Sequence, residues 1–128
     1  MAEYSAKVID VIGGKELTGK EKVALKNFAD MVQLDEVTQE HEEGVLINVA
    51  FVAVIEVHNE KADTTDYEKQ VYVDKDGQMY ISGSESLFRQ YKSIYEDMEG
   101  DPEEWGIKVI RKESANYKGK DFLTCVIV

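Results

Sequence analysis

The sequence predicts a mainly β protein with two helices, and three observations carry that reading. Valine and isoleucine crowd one long run, Gly44–His58 (GVLINVAFVAVIEVH). Two pairs of short β-branched or aromatic runs flank turn-forming residues, at 70–81 and 106–128. Two further stretches, Thr18–Asp30 and Ser82–Met98, join a helix-start signal to apolar residues at helical spacing. A chain of 128 residues, 43% hydrophobic and 32% charged, is sized for one globular domain.

In chain order, Lys7–Ile12 is a strand that stops at Gly13-Gly14. Thr18-Gly19-Lys20-Glu21 has capping-box spacing, opening a helix to about Asp30 with Val23, Leu25, Phe28 and Ala29 on its apolar side. Residues 31–43 are polar and acidic and read mostly as loop. Gly44–His58 is long enough for a helix, but its β-branched density favours a strand. Such a strand is expected to bend and to pair with different neighbours along its two halves. Residues 59–66 form a polar loop.

Gln70–Val73 and Gln78–Ile81 flank Asp74-Lys75-Asp76-Gly77. A three-residue loop with Gly77 left-handed pairs Asp74 with Gln78, Val73 with Met79, Tyr72 with Tyr80 and Val71 with Ile81. That register places four aliphatic side chains on one face and both tyrosines on the other, outward, face. Ser82-Gly83-Ser84-Glu85 reads as a second capping box, for a helix to about Met98 carrying Leu87, Phe88, Tyr91, Ile94, Tyr95 and Met98. Gly100 and Pro102 end it. A closing hairpin pairs Gly106–Ile110 with Phe122–Val128 across a polar connector. Phe122–Val128 is apolar on both faces, which suits a central strand or a subunit interface in a homo-oligomer.

Long strand, strand, strand, helix, strand, strand is the element order of the five-stranded OB barrel, with its helix between strands three and four. The expected architecture is one OB-like antiparallel barrel over residues 44–128. Residues 1–43 add an N-terminal extension of one strand and a short helix. A mixed α+β sheet satisfies the same order.

Several function classes are disfavoured. Gly14–Glu21 (GKELTGKE) approaches a phosphate-binding loop, but Glu21 stands where a magnesium-holding Ser or Thr is required. Aligning Gly77 with the glycine of a calcium loop puts Tyr72 and Gly83 at the first and last ligand positions, and both fail. His41 and His58 are the only imidazoles and have no partner at recognisable spacing; one cysteine excludes a zinc–cysteine cluster. The expectation is a non-enzyme with no metal and no cofactor. Cys125 reads as a buried thiol in a reducing compartment. No run reaches membrane-spanning length and MAEYSAK lacks a signal-peptide core, so a cytoplasmic protein is expected.

Charge is unevenly distributed. The chain carries −11 overall, yet residues 105–128 hold five cations against two acids, and residues 31–104 hold five cations against 19 acids. In an OB barrel, the face with Tyr72 and Tyr80 lies between the 59–66 and 113–121 loops, where oligonucleotides bind. Lys69, Tyr72, Tyr80, Lys108, Arg111, Lys112, Tyr117, Lys118 and Lys120 are therefore the candidates for stacking on bases and tracking phosphates.

Trp105–Val128, above all ESANYKGKDFLTCVIV, resembles the C-terminal part of small single-stranded DNA-binding proteins of phages and mobile elements of Gram-positive bacteria. VQLDEVTQE and ISGSESLF extend the resemblance over most of residues 32–128. It implies an OB-fold that coats single-stranded DNA in replication or recombination, without chemistry, in the bacterial host cytoplasm. Replication or recombination proteins would be further partners. The chain departs from bacterial single-strand binders in ending on an apolar strand instead of an acidic tail. A recruiting acidic element would have to be internal, such as Glu96–Glu104. The acids of the middle region motivate a second reading of another class: an acidic interaction module, a phage-encoded inhibitor or DNA mimic, acting on a host protein.

Overall fold

A computed structural model describes residues 4–61, 65–101, 103–113 and 121–128. They form eight strands and three α-helices. In order these are β1 (Tyr4–Ile12), α1 (Gly19–Leu25), a 3-10 turn (Phe28–Asp30), β2 (Val32–Gln33), α2 (Leu34–Glu40), β3 (Val45–Ile47) and β4 (Val49–Asn59). There follow β5 (Asp66–Asp74), β6 (Met79–Ser82), α3 (Glu85–Met98), β7 (Ile107–Glu113) and β8 (Asp121–Ile127). The protein is β-dominated, as expected. Its described strands form two sheets, ordered β1-β4-β5-β6-β2 and β3-β7-β8, rather than one closed five-stranded barrel. They belong to two compact units: residues up to Val32 with Ala50–Gly83, and Gln33–Val49 with Ser84–Val128.

The first unit is built on β4. Phe51, Ala53, Ile55 and Val57 point into a core with Val71, Val73, Ile81, Leu25 and Met31. Val52 and Val54 on the opposite face are also buried. A strand buried on both faces needs apolar residues at every position, which is why this run shows no alternation. β1 covers one edge of β4, with a bulge between Val8 and Asp10. α1 begins as read: Thr18 Oγ1 accepts from the Glu21 amide at 3.2 Å and Glu21 Oε1 accepts from the Thr18 amide at 3.1 Å. It ends at Leu25, short of Asp30, and docks through Leu25, while Val23 is 69% exposed. The β5–β6 hairpin has the expected register, from Gln70 opposite Ser82 to Val73 opposite Met79. Its turn closes by hydrogen bonds from the Asp74 amide to the Gln78 carbonyl and from the Gly77 amide to the Asp74 carbonyl, both 3.0 Å. Gly77 sits at φ +90°.

The second unit contains the closing hairpin. β7 pairs with β8 from Ile107–Ile127 to Glu113–Asp121, and β3 adds to its other side. The long run is thus divided near Asn48: its first part pairs with β7, and its second with β1 and β5. The division into differently paired halves follows the sequence expectation. Gly44 (φ +93°) admits the close approach of β3 to β7; a Cβ there would lie 2.8 Å from the Val109 carbonyl oxygen and from Ile110 Cγ2. Two differences from expectation stand out. Residues 34–40 form α2, anchored by buried Leu34 and Thr38, whose hydroxyl donates to the Leu34 carbonyl at 2.6 Å. The α3 cap is Ser84, accepting from the Leu87 amide at 3.2 Å, because Ser82 is used up as a buried strand residue of β6.

Nor is β8 a central strand: it lies at the edge of its sheet. The reciprocal bonds between Gly106 and Val128 make Phe122, Thr124 and Val126 the residues whose backbone groups face β7. The Leu123 carbonyl therefore points off the edge, where Ser86 Oγ of α3 donates to it at 2.7 Å. Tyr91 of α3 is buried, its ring centroid 6.1 Å from that of Trp105. Covering an edge with a helix is one way a sheet avoids adding foreign strands.

Candidate nucleic-acid interface

Side chains alternate across a strand, so the register of the second sheet sorts its residues onto two faces. One face holds Val45, Ile47, Ile107, Val109, Arg111, Leu123, Cys125 and, at the strand end, Ile127, which is 46% exposed. Of these Ile47, Ile107, Val109, Leu123 and Cys125 are buried. The other face holds Leu46, Lys108, Ile110, Lys112, Phe122, Thr124 and Val126, and it is open: Leu46 is 63% exposed, Val126 41% and Phe122 37%. Both acids of the hairpin, Glu113 and Asp121, fall on the first face by parity. The open face is basic and apolar, with no carboxylate from its strands.

Its rows are defined by pairing. Lys108 stands between Leu46 and Val126, Ile110 opposite Thr124, and Lys112 opposite Phe122. Four residues along one strand separate the two lysines by about 13 Å. Along β7 this face therefore carries a lysine at each end with Ile110 between. Glu43 stands at the rim. Its carboxyl is held below the usual value by its own backbone amide first, then by His41 Nδ1 at 3.1 Å, with Lys108 a smaller influence.

The other sequence candidates fare differently. Tyr72 does not face outward: it is fully buried, on the same side of the first sheet as Val52 and Val54. The continuous apolar pattern of β4 was the signal that this second face is covered too. Tyr80 is partly buried; burial raises its phenol pKa, and Asp74 and Asp76 add to the shift. Two nearby carboxylates make it a poor neighbour for phosphate. Lys69 belongs to the first unit, its ammonium 5.9 Å from the Tyr67 ring centre. Arg111 is on the buried side of its sheet and acts as a tie: Nη2 donates to the Asp35 carbonyl of α2 at 2.6 Å and Nη1 lies 3.7 Å from Asp121. Tyr117, Lys118 and Lys120 lie outside the described residues. Lys108 and Lys112 lie on the same face of β7, four residues apart. Phe122, Leu46 and Val126 were missed as site residues because their exposure depends on which face of β8 is left open.

Elsewhere, a cavity of about 500 Å³ in the first unit is lined by Asn27, Asp30, Asp76, Gln78 and Met79 among others. Its two carboxylates disfavour an anionic ligand. Among the described residues, no group of three or more His, Cys, Asp or Glu is placed to hold a metal. No described helix is long and apolar enough to cross a membrane. No family model, curated protein or solved structure matches the chain.

Proposed function

We propose that the protein binds single-stranded DNA with little sequence preference, in phage or mobile-element replication or recombination, through the open face of β3, β7 and β8. One observation carries this reading: an acid-free sheet face bearing two lysines and an exposed phenylalanine, on a chain whose net charge is −11. Aromatic rings and cations together suit a flexible polyanion with exposed bases. Duplex DNA hides its base faces and gains little from Phe122. The pairing of the Gly44–His58 run, first with β7 and then with β5, supports an OB-type ancestry. So does the order β4-β5-β6-α3-β7-β8. The binding face is the second sheet, not the tyrosine face of the first. No catalytic step is assigned.

The test is a titration of oligo-dT and of duplex DNA at several salt concentrations, with wild-type protein and with Lys108→Glu/Lys112→Glu. Single-strand binding by the wild type should weaken with salt. Loss of two phosphate contacts should lower the slope of log K against log salt by about 1.4, since each contact contributes about 0.7 on a single strand. Absence of single-strand binding at low salt would refute the reading and favour the acidic-module alternative, whose assay is capture of a basic host protein.

A further inference from the structure

The chemistry of the open face goes further than affinity for a single strand. Resting on that reading, we propose that it recognises the C5 methyl group of thymine, favouring thymine-bearing DNA over nucleic acid that carries uracil. Within the three strands its polar side chains are Lys108, Lys112 and Thr124. Lysine offers donors only and is taken up by phosphate, while the amide side chains that pair with base edges are missing from these strands. Asn48 lies just beyond β3, at the rim, its Oδ1 over Gly106.

What remains for the bases is the Thr124 hydroxyl and apolar surface. On one face Ile110 lies diagonal to Phe122 and to Val126, and Leu46 and Val126 flank Lys108. A phenylalanine ring stacks on any base and scarcely distinguishes uracil from thymine. Aliphatic side chains do distinguish them, because the thymine methyl is apolar surface that uracil lacks. Burying one methyl is worth about a fourfold gain in affinity. The interval of about 13 Å between the lysines accommodates at least two bases, so the combined preference is about tenfold or more.

The measurement is a pair of titrations with oligo-dT and oligo-dU of about 16 nucleotides. Both have deoxyribose backbones and differ only by the methyl groups. Oligo-dT should bind about tenfold more tightly at the same salt. Val126→Thr, on an exposed position, should weaken oligo-dT more than oligo-dU and so narrow that ratio. Equal binding of the two oligomers would overturn methyl recognition and leave the single-strand reading standing; binding of neither would remove both. A Val126→Thr protein that weakens both oligomers equally would also overturn the proposal.

Discussion

Gly44 and Gly77 share a left-handed backbone but not an environment, which allows strain and collision to be separated. Their φ angles are +93° and +90°. A Cβ at Gly77 meets nothing within 4 Å, whereas one at Gly44 would sit 2.8 Å from the Val109 carbonyl oxygen and 3.0 Å from Lys108 Cγ. Gly77→Ala therefore adds only the left-handed penalty of about 1–2 kcal/mol. Gly44→Ala adds that penalty and the displacement of β3 from β7, which costs about 1–3 kcal/mol more by comparison with overpacked cores. With a urea dependence of about 2 kcal/mol per molar, the midpoints should fall by about 0.5–1 M and about 1–2.5 M respectively. Urea unfolding followed by circular dichroism reads both. Equal shifts for the two variants would refute the claim that β3 and β7 are held at closest approach by the missing side chain.

Three other outcomes follow from the described contacts. Arg111→Met should lower stability by about 1–3 kcal/mol through loss of its bond to the Asp35 carbonyl. It should leave the salt slope of single-strand binding unchanged, whereas Lys112→Met should reduce that slope by about 0.7. His58 Nδ1 lies 2.7 Å from Asp66 Oδ1, and that bond, with Glu60 adding, raises the imidazole pKa above its ordinary value against an opposing desolvation. The stabilisation is fully present below about pH 6.5, the unfolded value, and is lost as pH rises through the raised folded value. Asp66→Asn should move the NMR titration of His58 towards its ordinary position and reduce that pH dependence, leaving the part due to Glu60, 3.7 Å from Nε2; an unchanged titration would discard the pair. Burial pushes the Cys125 thiol up to about 11. A thiol reagent at pH 8 should react slowly with the folded protein and rapidly in denaturant.

Elements with strong local chemistry were legible in the sequence. The Asp74–Gly77 turn fixed a register that alternation confirmed, and Thr18 with Glu21 marked a helix start. α2 was not legible: its sequence, LDEVTQE, is short and charged, and is held by burial of Leu34 and Thr38 instead of by propensity. The site was half legible. Lys108 and Lys112 share a face by parity alone, but sequence cannot say which face of a strand a helix covers. On β8, Leu123 and Cys125 are buried and Phe122 and Val126 are left open, while Ser86 of α3 bonds the Leu123 carbonyl at the edge. The same limit hid the fate of Tyr72: the expected platform is buried, while Phe122, on a strand read as central or as a subunit interface, is 37% exposed.

Each compact unit is built from two separate stretches of chain, which passes between them at 32–33, 49–50 and 83–84. No single cut yields either unit whole. A fragment beginning at Gly44, the boundary that the sequence suggests, would keep β3, β7 and β8 but lose β1, α1 and α2. Its β4 would be stripped of the β1 partner, and its Arg111 would have no Asp35 carbonyl to bond. Minimisation of this protein by truncation is therefore expected to fail where insertion into an exposed turn, such as Lys75–Asp76, succeeds.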